Sequence, residues 1–219
     1  MMTLFTDRAE AGRYLASKLE RFNGADTVVY ALPRGDVSVG AEIAESLGVP
    51  LDVTFAGKIC APWETSCGAK PATASASSRT RGRGGIPPTR PILPAGRIAI
   101  VVDDGFASGI KLQTVVKALR WHGAKAVIVA QPVAARTTLK DFEDLVDDVI
   151  CVDLADNADK VGNAYVNLPR ILDDEVEDVV YRLTSHWSSF LRGRNVASDG
   201  GSLSTGRPVP IALARAPRL

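Results

Sequence analysis

Val101-Val-Asp-Asp-Gly-Phe-Ala-Ser-Gly-Ile-Lys111 is the stretch that decides the reading of this chain. It closes an apolar run, residues 98–102, which is the most apolar strand candidate in the sequence. Two adjacent carboxylates follow, Asp103 and Asp104, and then a loop of small residues. A helical pattern starts directly after it, with Leu112, Val115, Val116 and Leu119 on one face and Lys111, Gln113, Lys117 and Arg120 outside. In open α/β sheets, ligands sit outside the carboxyl ends of the strands. A helix N-terminus there offers free N–H groups and partial positive charge, which suits a phosphate. Gly105, Ala107, Ser108 and Gly109 let the backbone approach an anion closely, and Ser108 adds a hydroxyl donor. Two carboxylates beside a phosphate cradle repel it unless they face something neutral. Vicinal ribose hydroxyls are the natural partner, because ionised carboxylates only accept hydrogen bonds. A plain strand-ending turn accounts for Asp-Asp-Gly alone, but not for the whole string. The string has neither the Gly-Lys-Ser/Thr of a Walker A loop nor GxGxxG spacing.

Working outward, the same grammar repeats. Asp7 and Glu10 have capping-box spacing and open a helix with Ala11, Leu15, Leu19 and Phe22 on one face. Residues 27–32 read as a buried strand, broken by Pro33-Arg-Gly-Asp36. A helix follows with Val39, Ile43 and Leu47 inside, closed by Gly48-Val-Pro50, and residues 51–56 form a second strand. Beyond the central stretch, residues 126–130 and 148–153 read as strands. Leu139, Phe142 and Leu145 mark a short helix between them. A last helix, capped by Asp173 or Asp174, runs through Val176, Val179, Val180 and Leu183. Strands alternating with helices predict a parallel five-stranded sheet flanked by helices.

One domain over residues 1–187 is expected, with a loose tail at 188–219. Residues 63–96 interrupt the pattern. Five prolines (71, 87, 88, 91, 94) lie there, and no acidic residue occurs between Glu64 and Asp103, whereas Lys70 and five arginines (79, 81, 83, 90, 97) do. Such a composition buries little, so a flexible insert, a divergent lid or a wrongly framed stretch all fit it. Its arginines read as a solvated linker rather than a nucleic-acid contact. With a net charge of +1 and only 6% aromatics, neither bulk charge nor a base-stacking surface points to nucleic acid. Cys60, Cys67 and Cys151 have no CxxC spacing, and His122 and His186 are the two histidines, so no zinc site is expected. Reduced thiols, a start without a signal-peptide pattern and the lack of an 18-residue apolar run lead us to expect a cytoplasmic protein.

The string at 101–111 resembles the PRPP-binding signature of type I phosphoribosyltransferases. The resemblance implies that Asp103 and Asp104, the residues on which catalysis turns, hold the ribose 2- and 3-hydroxyls. It also implies that the loop through Gly105, Ala107, Ser108, Gly109 and Lys111 cradles the 5-phosphate. Lys111 stands where the family usually has Thr or Ser. Leu32-Pro-Arg-Gly35 corresponds to the family's pyrophosphate loop, with Arg34 and Gly35 facing the diphosphate, and Lys58 in Gly57-Lys-Ile-Cys-Ala-Pro62 is similar to a basic residue on the same side. Phe5-Thr-Asp-Arg8-x-x-Ala11-Gly12 and Val161-Gly-x-x-Tyr165 resemble a subgroup of bacterial members whose substrate is unsettled. The resemblance covers roughly residues 3–62 and 96–186. It implies transfer of a phosphoribosyl group from PRPP to a base or other nucleophile with release of pyrophosphate. Magnesium is then carried on PRPP rather than by a dedicated protein site, and a homodimer is common among such proteins. The alternative is a non-catalytic PRPP or nucleotide sensor on the same fold, since fold does not determine function.

Overall fold

The computed structural model describes residues 4–24, 26–32, 35–53, 92–105, 109–169, 171–172, 175–176 and 178–183. Five strands form a single sheet: β1 (Thr27–Ala31), β2 (Leu51–Val53), β3 (Ile98–Val102), β4 (Ala126–Ala135) and β5 (Asp148–Ala155). Their order is β2-β1-β3-β4-β5 and every pairing is parallel. From β1 the chain crosses outward to β2, then returns to the other side of β1 and builds β3, β4 and β5 in turn. Crossovers therefore diverge between β1 and β3, where the register pairs Ala31 with Val102. A crevice opens at such a reversal, outside the carboxyl ends of the two strands. The segments after Ala31 and after Val102 both start there.

Period-two alternation divides the sheet between two cores. Val29, Ala31, Ile100, Val102, Ile128 and Ala130 point to one side. There they pack against α1 (Arg8–Lys18), α2 (Gly35–Leu47) and the helical residues 175–176 and 178–183. Val28, Tyr30, Ala99, Val101, Val127 and Val129 face Leu112, Val115, Val116 and Leu119 of α3 (Gly109–Trp121) and Phe142. A third cluster, which includes Phe5, Val133, Ala155, Val161 and Tyr165, covers the far ends of β4 and β5. It stands next to the crevice.

The capping box opens α1 as its spacing predicts. Asp7 accepts a bond from the Glu10 amide at 2.9 Å, and Glu10 reaches back to the Thr6 amide. The second helix starts earlier than the Pro33–Asp36 break predicts, because Gly35 and Asp36 already belong to α2. Strand β4 runs five residues beyond its predicted end: Gln131, Val133, Ala134 and Ala135 pair with β5 on either side of Pro132. The helix expected around Leu139 and Phe142 divides into α4 (Arg136–Leu139) and a 3-10 turn, Glu143–Leu145. Residues 92–96, the end of the Pro- and Arg-rich segment, lie on the sheet. Ile92 donates to Asp52 and its carbonyl accepts from the Tyr30 hydroxyl. Residues 54–91 and the expected tail lie outside the described residues. Among the described residues no helix is long and apolar enough to cross a membrane.

Candidate active site

Asp103 and Asp104 follow β3 directly and are buried, 0% and 5% exposed. A buried carboxylate needs partners, and each has them. The Oδ2 atom of Asp103 accepts from Gln131 Nε2 at 2.5 Å and from the Gly105 amide at 3.0 Å. Gln131 reaches it because the register that pairs Val102 with Ala130 sets the next residue of β4 beside Asp103. Asp104 is fixed at three points. Its amide donates to Asp36 Oδ1 at 2.6 Å, its carbonyl accepts from the Tyr165 hydroxyl at 3.1 Å, and its Oδ2 accepts from Arg8 Nε at 2.9 Å. Arg8 also donates from Nη1 to the Pro169 carbonyl at 2.8 Å.

Glycines allow this close approach. Gly105 adopts φ +100°, and a Cβ there would lie 2.4 Å from the Val133 carbonyl oxygen. A side chain is excluded by both conformation and contact. At Gly35, the first residue of α2, a Cβ would stand 2.2 Å from Asp104 Oδ2 and 2.8 Å from Arg8 Nε. The start of α2 thus touches the acid pair across the crevice. Gly109 opens α3 against Asp141, whose Oδ2 would lie 2.4 Å from an added Cβ.

Asp36 completes a cluster of three buried carboxyls whose nearest oxygens lie within 4.8 Å of one another. Burial, and then the charges of Asp103 and Asp104, hold the Asp36 carboxyl well above the usual carboxylate range. Burial likewise raises the Tyr165 phenol, followed by the charge of Asp104, so it stays protonated and able to donate. An all-oxygen donor set of this kind fits a hard divalent cation such as magnesium. A cavity of about 300 Å³ adjoins Arg8 between the first turns of α1 and α2 and Pro169.

The residues singled out in the sequence therefore fall into three groups. Asp103, Asp104, Gly105 and Gly35 converge on the crevice, whereas Gly109 opens α3 against Asp141. Lys111, in the first turn of α3, has its residue exposed to solvent. Arg34, Lys58, Ala107 and Ser108 lie outside the described residues. Arg8, Asp36, Gln131 and Tyr165 also hold the acid pair, a role that the sequence did not assign to them. Arg8 and Tyr165 belong to the two flanking motifs, Phe5–Gly12 and Val161–Tyr165, which meet where Phe5 bridges to Tyr165. No sequence signal marked Gln131.

Residues 6–166 match the phosphoribosyl transferase domain family. The chain belongs to that family. Two Mycobacterium tuberculosis relatives, from strains CDC 1551 / Oshkosh and ATCC 25618 / H37Rv, carry the provisional name phosphoribosyl transferase. Each is 34% identical over 209 aligned residues, covering 80% of this chain and 46% of the relative. The chain thus spans about half the length of the curated relatives it matches. The crystal structure of TT1426 from Thermus thermophilus superposes with a TM-score of 0.64 at 24% identity, covering 82% of this chain and 99% of that one. It shares the fold. As a phosphoribosyl transferase domain, the chain has its buried acid pair at the sheet edge where α/β folds of this type bind ligands.

Proposed function

We propose that this domain is a cytoplasmic phosphoribosyltransferase that uses PRPP and releases pyrophosphate. The observation that carries the reading is the buried Asp103–Asp104 pair at the topological switch, followed at once by Gly105 and the N-terminus of α3. The two carboxylates accept from the ribose hydroxyls, and residues 107–111 cradle the 5-phosphate. The diphosphate lies toward the start of α2, against Gly35, Arg34 and Lys58. When bound through PRPP, magnesium would supply positive charge to the departing diphosphate. The nearest protein oxygens that could hold it are those of the Asp36, Asp103 and Asp104 cluster.

The chain's own residues mainly position and exclude. Gln131 and the Gly105 amide fix one carboxylate, and Arg8 fixes the other. With both acids buried and held, the ribose meets a preset pair of acceptors, which favours orientation. Loss of pyrophosphate from C1 leaves positive charge on the ring, as in glycoside cleavage. Ionised carboxylates below the ring stabilise it electrostatically. The attacking nucleophile is a nitrogen of a base or a comparable acceptor.

Calorimetry with PRPP and magnesium tests the binding step. Asp103→Asn together with Asp104→Asn is expected to abolish measurable affinity, and unchanged affinity would refute the reading. Release of labelled pyrophosphate across a panel of purine and pyrimidine bases tests turnover. Binding without release from any of them would favour a sensor.

A further inference from the structure

Arg8 is the first residue of α1, far in sequence from the string at 101–111, yet its guanidinium joins three segments of the site. Nε holds Asp104 Oδ2 at 2.9 Å, and Nη1 holds the Pro169 carbonyl at 2.8 Å. Nε and Nη2 lie 2.8 and 2.9 Å from where a Cβ on Gly35 would stand. The ion pair is mostly out of water, its side chains 13% and 8% exposed. Surface pairs of this kind do little, but a desolvated charge-assisted pair is both strong and directional. It also has a specific role here. The Asp104 carboxylate shares its surroundings with Asp36 and Asp103, all three within 4.8 Å. Asp103 is a neighbouring acid of the same sign, and the Arg8 guanidinium offsets its repulsion of Asp104.

We propose that Arg8 is a positioning residue for ribose recognition: packed against the start of α2, it holds the Asp104 carboxylate toward the crevice and ties it to Pro169. The inference rests on the reading of the crevice as a PRPP site. Arg8 acts through Asp104 and is not assigned a contact with substrate. A lysine supplies the charge but not the planar fork that bonds Asp104 and Pro169 in two directions, so it is expected to replace Arg8 only in part.

A double-mutant cycle tests this, with affinities for PRPP and for ribose 5-phosphate, both with magnesium, measured by calorimetry. The proteins are wild type, Arg8→Met, Arg8→Lys, Asp104→Asn and Arg8→Met/Asp104→Asn, each checked for folding by circular dichroism. Arg8→Met is expected to weaken both ligands by about tenfold or more, as loss of a charge-assisted contact does. Arg8→Lys should recover part of that loss. In the Asp104→Asn background, Arg8→Met should change affinity by no more than about twofold, because the cycle isolates the coupled interaction. A purely structural role would give the same penalty in both backgrounds and would overturn the inference. So would a folded Arg8→Met protein with wild-type affinity. A wild-type protein that binds neither ligand overturns the PRPP reading and this inference together, whereas wild-type binding with an unaffected Arg8→Met overturns this inference alone.

Discussion

Replacing Gly35 with alanine separates the site from the fold better than any other single change. Gly35 opens α2, where its φ is not in the positive range, so alanine is acceptable to the backbone. The cost comes from contact. The new Cβ would stand 2.2 Å from Asp104 Oδ2 and 2.8 Å from Arg8 Nε, closer than van der Waals contact allows. The nearest atom is the end of a side chain, which can rotate, but its rotation breaks the Arg8–Asp104 pair. Overpacking of this kind costs about 1–3 kcal/mol in stability. Loss of a hydrogen bond to a charged group is worth about 1.5–3 kcal/mol, which corresponds to about 10- to 150-fold in affinity if it falls on the ligand. Rotation of the Asp104 side chain relieves part of the packing cost, so the thermal midpoint should drop only modestly while PRPP affinity falls at least about tenfold. Calorimetry and thermal unfolding on the same preparation measure both. Gly24→Ala serves as the control, since nothing lies within 4 Å of its Cβ position. A Gly35→Ala protein with wild-type PRPP affinity would refute the claim that the start of α2 and Asp104 form one site.

Three other outcomes follow from the same geometry. Asp36 has its pKa raised by burial and by Asp103 and Asp104, so wild type loses stability as pH rises from the ordinary carboxylate range through that raised value. Asp36→Asn keeps an acceptor for the Asp104 amide; in magnesium-free buffer it should be more stable than wild type at neutral pH, a gap that closes below about pH 4 in chemical denaturation. Tyr165→Phe strips a donor from the buried Asp104 carbonyl and should cost about 1 kcal/mol, seen as a fall of about 2–4 °C in thermal midpoint. Burial pushes the Cys151 thiol up to about 11, with Asp153 adding to the effect. At pH 8, native Cys151 should therefore alkylate on the order of 100-fold more slowly than in denaturant, read by peptide mapping.

The sheet and the acid pair were legible because their signals are local. An apolar run ending in Asp103-Asp104-Gly105 and entering an amphipathic helix specifies strand, turn and helix within fifteen or so residues. The parallel order follows from the alternation of elements. What surrounds the acids was less legible, because it is assembled from segments distant in sequence. Gln131 reaches Asp103 through the β3–β4 register, one residue past the predicted end of β4 and directly before Pro132, a residue that normally argues against a strand interior. Asp36 looks like part of a turn after Pro33, yet it sits in the first turn of α2 with its carboxyl on the Asp104 amide. Arg8 and Tyr165 stood in motifs whose order was recognisable, but their roles depend on α1 and residues 161–165 closing over the same strand end. Residue type and spacing do not encode such a meeting; the topology does.

The central claim is that Asp103 and Asp104 hold a ribose. A crystal structure of the protein with PRPP and magnesium tests it most directly. The account predicts the ribose 2- and 3-hydroxyls within hydrogen-bond distance of the two carboxylates, the 5-phosphate at the N-terminus of α3, and the diphosphate toward Gly35. PRPP bound elsewhere, or bound in the crevice with its ribose turned away from both acids, would contradict it.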